Sequence, residues 1–169
     1  LSLVNPISSE LTDMRPSILP TLLQAAQKNL NKGCEDLSIF EVGPIFKGDN
    51  PDEQFNTITG IRTGNKNKRD WRSGSLDYNF YDVKLDILSV LNVVGVPKNS
   101  LKIYKDTPTY FHPGRSALFK LGNIIIASFG QINPLCLNLK DKKLEFFAFE
   151  IYLDKIPLPK RKIFSKPLL

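Results

Sequence analysis

The ten residues Leu37–Phe46, which read LSIFEVGPIF, constrain the fold of this chain most. They are rich in aromatic and β-branched side chains, which favour a β-strand. The apolar run is nearly continuous, which predicts burial on both faces, as in a central strand. Pro44 has no backbone N–H to donate to a sheet, so we expect a bulge or an edge contact there. Residues 55–62 alternate between two faces and are predicted to form the next strand, paired antiparallel.

Residues 16–31 have the periodicity of an amphipathic helix, with an apolar side chain at every fourth position. Ser17 is a suitable N-cap because its hydroxyl can accept a hydrogen bond from the first turn. Gly33 follows at the point where a left-handed residue commonly ends a helix. The apolar stripe must be buried, either against the chain's own sheet or against a partner subunit. Its members are Ile18, Leu22, Ala26 and Leu30.

The rest of the chain is predicted to contain a second helix over residues 81–94, capped by Asp77 or Asn79 and ended by Gly95. Consecutive antiparallel strands with two helices packed on one face describe an α+β fold. No glycine-rich dinucleotide fingerprint or phosphate-binding loop is present in the sequence. The further predicted elements are strands over residues 101–105, 115–121, 124–131 and 146–153, and a short helix over residues 134–139.

The length and composition fit one globular domain, since 169 residues with 41% hydrophobic and 24% charged residues can build a core. We predict that residues 1–155 form this domain. Residues 156–169, rich in proline and basic side chains, are predicted to be a linker toward a further domain that the sequence does not include. No apolar run reaches the roughly 20 residues that span a bilayer, and the start lacks the basic and apolar regions of a signal peptide. We therefore expect no membrane association.

Neither cysteine belongs to a metal-ligand pattern, because Cys34 and Cys136 lie far apart and each stands alone. A structural metal site needs about four ligands in local pairs, so no metal is expected. Disulfides are rare in a reducing cytosol, and we expect two buried free thiols. The single histidine is attributed to a rigid turn rather than to a hydrolase triad. That turn comprises His112, Pro113 and Gly114 and leads Arg115 into a strand.

Basic side chains cluster in the loop 62–72, in a chain whose net charge is +6. Such a patch attracts polyanions, and Trp71 within it offers an aromatic face on which an RNA base could stack. The plainer interpretation is a solvated loop in which Trp71 is a structural anchor. The candidates for RNA contact are Arg62, Lys66, Lys68, Arg69 and Arg72.

Five segments, in order, resemble the β subunits of bacterial phenylalanyl-tRNA synthetases. The opening NPISSELTDMRPSILP resembles the family's approach to its first helix, and LSIFEVGPIF resembles its Leu-Phe-Glu-hydrophobic-Gly strand. FYDVKLDILSVL resembles its Phe-Asp-x-Lys-x-Asp helix, and FHPGRSALFKLGN with FGQINP resembles its His-Pro-Gly-Arg-x-Ala hairpin. FFAFEIYLD resembles the strand that precedes the family's C-terminal RNA-binding domain. The five segments cover nearly the whole chain.

The resemblance implies a class II synthetase-like domain with an antiparallel β-sheet flanked by helices. It also implies a partner, the catalytic α subunit, in a cytoplasmic α2β2 enzyme that charges tRNA with phenylalanine. The α subunit would use ATP and magnesium, so no cofactor is expected on this chain. Active class II domains end the corresponding strand in Phe-Arg-x-Glu, whereas Lys47 and Asp49 stand at the Arg and Glu positions here. Lysine is a point charge and does not replace the planar fork of arginine, so no catalytic residue is expected.

Two other functions remain open from the sequence. One is a free-standing adenylate-forming enzyme that uses Lys47 and Asp49 in place of Arg and Glu. The other is an RNA-binding module that uses the loop 62–72. Under the leading interpretation, a non-catalytic assembly domain, the predicted structural or interface positions are Arg15, Ser17, Ile18, Leu22, Ala26, Leu30, Glu41, Gly43, His112, Pro113, Gly114 and Arg115.

Overall fold

The computed structural model describes residues 13–67, 76–137 and 144–157, which form an antiparallel sheet and two helices. The elements are α1 (Leu19–Leu30), β1 (Leu37–Phe46), β2 (Gln54–Thr63), α2 (Phe80–Val94), β3 (Leu101–Tyr104), β4 (Phe111–Leu121), β5 (Ile124–Ile132) and β6 (Phe146–Tyr152). The six strands lie in the order β1-β2-β6-β5-β4-β3. The predicted α+β class is therefore confirmed. Neither helix in the described part of the chain is long and apolar enough to cross a bilayer.

The two helices cover opposite faces of the sheet, and the expectation that both pack on one face is wrong. The reason is visible in β6, whose side chains alternate between two apolar clusters. Phe146 and Ala148 pack with α1, whereas Phe147 and Phe149 pack with α2. A strand that is apolar on both faces must be buried on both sides, and one helix packs against each side.

Strand β1 lies at the edge of the sheet, so the prediction of a central strand buried on both faces is wrong. One face of β1 is directed at the α1 core, where Leu37 and Ile45 are buried. On the other face, Phe40 is 72% exposed and Val42 is 55% exposed. The apolar run that resembled a buried strand thus includes side chains that nothing in the described chain covers. Pro44 makes the expected edge contact, and the register with β2 continues through it without a bulge.

Local signals define the ends of both helices. The hydroxyl of Ser17 accepts a hydrogen bond from the Leu19 N–H at 3.0 Å, although the residue that directly precedes α1 is Ile18. Asn79 caps α2 by accepting the N–H of Tyr81 at 2.8 Å. After α2, Gly95 has a φ of +91°, the left-handed conformation that ends a helix at little cost for glycine. The predicted cap and stop of the second helix are confirmed.

Three smaller expectations need correction. Strand β4 begins at Phe111 rather than at residue 115, because the register shifts between Phe111 and Ser116 and the chain stays extended through that shift. The short helix expected over residues 134–139 is a 3-10 turn at Pro134–Cys136, and residues 138 and 139 lie outside the described ranges. Cys34 and Cys136 are free, as expected, but the prediction that they are buried is wrong, since both are exposed: Cys34 follows the end of α1 and Cys136 ends the 3-10 turn.

Candidate functional site

A row of polar side chains crosses the face of the sheet that α1 covers. Glu150 of β6 lies opposite Thr59 of β2 on one side and opposite Ser128 of β5 on the other. All three side chains are almost completely buried, and Glu150 is only 4% exposed. Residues directly opposite each other in neighbouring strands point to the same face. The centre of this sheet face therefore contains one carboxyl group between two hydroxyl groups.

Two hydroxyl groups donate hydrogen bonds to the Glu150 carboxyl group. The Ser17 hydroxyl, just before α1, donates to Oε1 at 2.6 Å, and the Tyr110 hydroxyl donates to Oε2. Burial of a carboxylate is costly unless such bonds replace its water. Because Ser17 also accepts the first amide of α1, Glu150 fixes the start of this helix over the sheet.

The hydroxyl groups on either side of Glu150 have no hydrogen-bond partner in the described structure. They belong to Thr59 and Ser128, whose exposed fractions are 0% and 1%. The Ser128 hydroxyl lies beside the hydroxyl groups of Tyr110 and Tyr152, and its proximity lowers the pKa of both phenols, against the larger effect of burial. A buried hydroxyl without a partner loses the bonds that water would have given it.

Burial raises the pKa of both tyrosines beside the row above the ordinary range. For Tyr110 and for Tyr152, burial is the largest cause, and the nearby Glu150 adds to it. A phenolate would lie in a poorly solvated position close to the Glu150 carboxyl group. Both phenols therefore keep their protons at neutral pH, and Tyr110 remains a donor to Glu150.

A cleft of about 340 Å³ opens beside the polar row, at the end of the sheet where β1 and β6 finish. Ser128 and Tyr152 line its inner part, and Lys47 and Lys155 line its mouth. The Lys155 ammonium group lies 4.7 Å from the centre of the Tyr152 ring, and the Lys47 ammonium group lies 5.6 Å from the same point. Burial, and then the nearby charge of Lys47, lower the pKa of Lys155.

Of the two positions that differ from the class II signature, Lys47 lies at this cleft and Asp49 is an exposed residue of the following turn. The Lys47 ammonium group also lies 5.8 Å from the centre of the Phe55 ring, so it is held between aromatic faces. The Lys47 N–H donates to the Glu53 carbonyl at 2.9 Å, which closes the connection from β1 to β2. The arrangement around Lys47 suits binding of an anion rather than catalysis of a proton transfer.

Arg15 is held by contacts within the chain. Its guanidinium group forms an ion pair with Glu41 and donates to the Pro44 carbonyl at 3.1 Å. The Arg15 carbonyl accepts the Phe46 N–H at 3.0 Å, so both ends of Arg15 bind β1. Gly43 leaves room for this contact, since a Cβ there would lie 2.5 Å from Arg15 Nη2 and would displace the guanidinium group. These three predicted positions, Arg15, Glu41 and Gly43, form one connected group.

The apolar stripe of α1 packs against the chain's own sheet. Ile18 and Ala26 are completely buried and Leu22 is 6% exposed, while Leu30 packs at the margin of the same cluster. The sequence left open whether this stripe packs against the chain's own sheet or against a partner subunit. The structure shows that it packs against the chain's own sheet. The stripe is therefore not available to a partner.

The segment His112–Arg115 occupies the register shift in β4. His112 Nδ1 accepts the Gly114 N–H at 3.1 Å, and the Ser116 hydroxyl donates to the His112 carbonyl at 2.7 Å. Pro113 and Gly114 are exposed. Arg115 ends the segment, and its Nη1 donates hydrogen bonds to Gln131 Oε1 at 3.0 Å and to Glu145 Oε1 at 2.8 Å. No described nucleophile and carboxylate pair converges on His112. The rigid turn predicted for His112, Pro113 and Gly114 is wrong, because these residues are an extended part of β4 at its register shift.

Two basic side chains of the loop 62–72 form ion pairs with acidic residues of α2. Arg62 forms a two-point ion pair with Asp86 at 2.5 and 2.8 Å, and Lys66 pairs with Asp82 at 2.7 Å. Asp82 and Asp86 thus anchor α2 to β2 and to the loop after it. No group of three or more His, Cys, Asp or Glu side chains in the described residues could hold a metal ion. The remaining RNA candidates Lys68, Arg69 and Arg72, and Trp71, lie outside the described ranges.

An apolar groove of about 310 Å³ separates the edge strand β1 from α2. The exposed side chains Phe40 and Val42 line one wall, and Val90 of α2 lines the other. α2 contacts β5 and β6 but leaves β1 uncovered, which is why the groove forms. Exposed aromatic and aliphatic side chains that adjoin a groove are typical of a protein interface.

Known proteins resemble this chain over nearly its whole length. Residues 1–153 match the family model described as "Phenylalanyl tRNA synthetase beta chain CLM domain". The chain belongs to the phenylalanyl-tRNA synthetase beta chain family. The phenylalanine–tRNA ligase beta subunit of Rhodospirillum rubrum is 46% identical over 160 residues, which cover 95% of this chain and 20% of that protein. That of Paramagnetospirillum magneticum is 41% identical over 170 residues, covering 100% of this chain and 21% of that protein. The chain spans about a fifth of the length of these relatives.

A solved structure of another protein has a similar fold. The structure of a pyrrolysyl-tRNA synthetase from Desulfitobacterium hafniense has a TM-score of 0.59 over 83% of this chain and 48% of that chain. The sequence identity is 15%, so this likeness concerns the fold alone. It confirms the predicted class II synthetase-like sheet for this member of the beta chain family.

Sequence reasoning missed the polar row and the groove. A signal for the first was present, because Glu150 interrupts the aromatic run of FFAFEIY, and a charged residue inside a buried strand needs a partner. The partners Ser17 and Tyr110 are distant in sequence and gave no local signal. The groove depends on which strand lies at the sheet edge, and strand order is not a local property.

Proposed function

We propose that this chain is a non-catalytic, synthetase-like core domain of the beta subunit of phenylalanine–tRNA ligase. In this proposal it assembles with the catalytic alpha subunit in a cytoplasmic α2β2 enzyme. The alpha subunit provides the site that uses ATP and magnesium to charge tRNA with phenylalanine. Support for the family comes from the 46% identity to a phenylalanine–tRNA ligase beta subunit, and the designation "beta subunit" implies a partner polypeptide.

The observation that carries the proposal is the uncovered wall of the groove between β1 and α2. Phe40 and Val42 expose 72% and 55% of their surface on the sheet face that α2 covers only in part. Exposure of two large apolar side chains beside a groove is unfavourable in a free domain, and a partner surface would remove them from water. We assign this groove to the alpha subunit.

The geometry of the sheet centre supports a non-catalytic role. Ser17 and Tyr110 donate hydrogen bonds to both oxygens of Glu150, so this buried carboxyl group is already committed to the structure. Lys47 replaces the arginine of the class II signature and lies against aromatic rings. A point charge held in this way does not supply the paired donors that stabilise the transition state of adenylate formation. We therefore expect no adenylate formation by this chain alone.

The test is co-expression of the chain with a tagged alpha subunit, followed by co-purification. Phe40→Asp and Val42→Asp place a charge in the assigned contact, and each should reduce the recovered chain at least about tenfold, since a charge buried at an interface without a partner costs several kcal/mol. The matched control is Ile103→Asp, a similarly exposed side chain on β3 at the opposite edge of the sheet. Unchanged recovery of both β1 variants, or an equal loss in the control, would reject the assignment.

A further inference from the structure

Strand β1 has one open edge, because β2 is the only strand beside it in the described part of the chain. Two bonds at its end show which way its backbone groups point. The Lys47 N–H, which continues the register with β2, donates to the Glu53 carbonyl. The Phe46 N–H turns away from β2 and donates to the Arg15 carbonyl. Successive residues of an antiparallel strand direct their backbone groups alternately to one side and the other, so the even-numbered residues of β1 direct theirs toward the open edge.

Three residues, Ser38, Phe40 and Val42, make up the open part of this edge. Their N–H and C=O groups have no hydrogen-bond partner among the described residues, since the pairing of β1 with β2 uses the odd-numbered positions. The edge closes further along, at Pro44. This residue has no N–H, and its carbonyl already accepts a bond from the Arg15 guanidinium group at 3.1 Å. The open stretch therefore runs from Ser38 to Val42.

This open stretch has little protection against pairing with another strand. Natural edge strands are commonly protected by lysine, proline, a bulge or an unpaired charge. Between Ser38 and Val42 there is no lysine, proline or bulge, and the one charged side chain, that of Glu41, is paired with Arg15. Protection of the edge begins only at Pro44. An edge left open over part of its length is suited to receive a strand.

The side chains of the same residues decide what kind of segment fits. Phe40 and Val42 are 72% and 55% exposed and line the groove assigned to the alpha subunit, so the open edge is continuous with that groove. A partner that covers these side chains also excludes water from the backbone groups beside them. Backbone groups away from water need protein partners. A helix uses its backbone bonds internally, whereas an extended segment offers both apolar side chains and free N–H and C=O groups.

We propose that the alpha subunit covers the groove with an extended segment that pairs with Ser38, Phe40 and Val42 as a seventh strand of the six-stranded sheet. This inference rests on the proposed assembly and adds the way in which the partner is recognised. The added strand places an apolar side chain at every second position, beside Phe40 and Val42. It ends where Pro44 and Arg15 close the edge, which fixes its position along β1.

The first test is hydrogen exchange of single backbone amides in the free chain and in its complex with the alpha subunit. In the free chain, Phe40 and Val42 should exchange fast, because their N–H groups point to solvent. In the complex, both should exchange at least about tenfold more slowly, since each N–H then donates to the added strand. The internal reference is Ile39 and Glu41, whose N–H groups face β2 and should exchange slowly in both states.

The second test removes one outward N–H and leaves the apolar wall of the groove unchanged. Ser38→Pro deletes that N–H and, as at Pro44, costs no bond to β2. After co-expression, its recovery with a tagged alpha subunit should fall at least about tenfold, because a bond is lost and the proline ring stands in the path of the added strand. The matched control is Ser38→Ala, which keeps the N–H and should be recovered like the parent chain. Circular dichroism shows whether both variants fold, and the amide exchange of the parent complex decides alone if Ser38→Pro does not.

The outcomes separate this inference from the assembly on which it rests. A complex in which Phe40 and Val42 exchange as fast as in the free chain would overturn the strand pairing and leave the assembly standing. Equal recovery of the two folded Ser38 variants would do the same. Absence of any complex would reject both. If the chain alone forms a dimer that Ser38→Pro abolishes, the edge belongs to a second copy, and the proposal is likewise overturned.

Discussion

Glu150 shows how one buried carboxyl group can organise a face of a β-sheet. Its two oxygens accept hydrogen bonds from Ser17 and Tyr110, which lie 133 and 40 residues away in the chain. If Glu150 lost one of these two donors, one oxygen of its carboxyl group would have no hydrogen bond, and this is costly in a buried position. The same group raises the pKa of Tyr110 and of Tyr152. The network therefore has a measurable consequence at alkaline pH.

We predict that the folded chain ionises fewer of its five tyrosines than the unfolded chain does as the pH rises above about 10, the ordinary tyrosine pKa. The folded pKa values of Tyr110 and Tyr152 are raised, so the folded state retains protons that the unfolded state has lost. The stability that these protons provide is fully present below about pH 10 and is lost as the pH rises further.

The measurement is the phenolate absorbance of the chain with and without urea across that pH range, with circular dichroism to establish that the chain is folded. The folded chain should show the lower absorbance. The Tyr110→Phe variant should show a smaller difference between the two states. Coincident titrations of the folded and unfolded chains would show that Tyr110 and Tyr152 are not shielded by burial and by Glu150.

At the scale of elements, the pairing of β2 with β6 depends on a close approach. The ring of Phe149 lies over Gly60, the residue directly opposite it, and a Cβ on Gly60 would come within 2.5 Å of that ring. Gly60→Ala should therefore lower the free energy of unfolding by about 1–3 kcal/mol, the usual cost of overpacking a core.

Urea denaturation at neutral pH measures this change. The control is Gly114→Ala, because a Cβ at Gly114 would meet only His112, at an ordinary contact distance of 3.5 Å. Its effect should stay within about 0.5 kcal/mol, as for most surface substitutions. Equal stability of Gly60→Ala and the parent chain would contradict the described packing of Phe149.

Local elements were predictable from sequence, and their arrangement was not. Periodicity and capping residues located α1 and α2, because a helix depends on neighbours within one turn. The edge position of β1 and the opposite placement of the helices depend on strand order, which long-range pairing with β6 decides. The exposed Phe40 and Val42 made β1 resemble a buried strand, since their apolar side chains have the composition of a core although they face solvent in the described chain.

At the scale of the whole molecule, the two faces of the sheet have different properties. The α1 face contains the polar row and the cleft between Lys47 and Lys155. The α2 face leaves Phe40 and Val42 uncovered beside a groove. The class II fold is retained, and Lys47 and Asp49 follow β1 at the positions where the family resemblance implies Arg and Glu in active domains. Under the proposed function, both faces serve binding rather than a reaction.

The most direct test of the account is size-exclusion chromatography with light scattering of the chain co-expressed with an alpha subunit of phenylalanine–tRNA ligase. The account predicts that the two polypeptides elute together, with a mass larger than either has alone, because the groove beside β1 is covered in the complex. Separate elution of the two polypeptides, with the chain folded by circular dichroism, would contradict it.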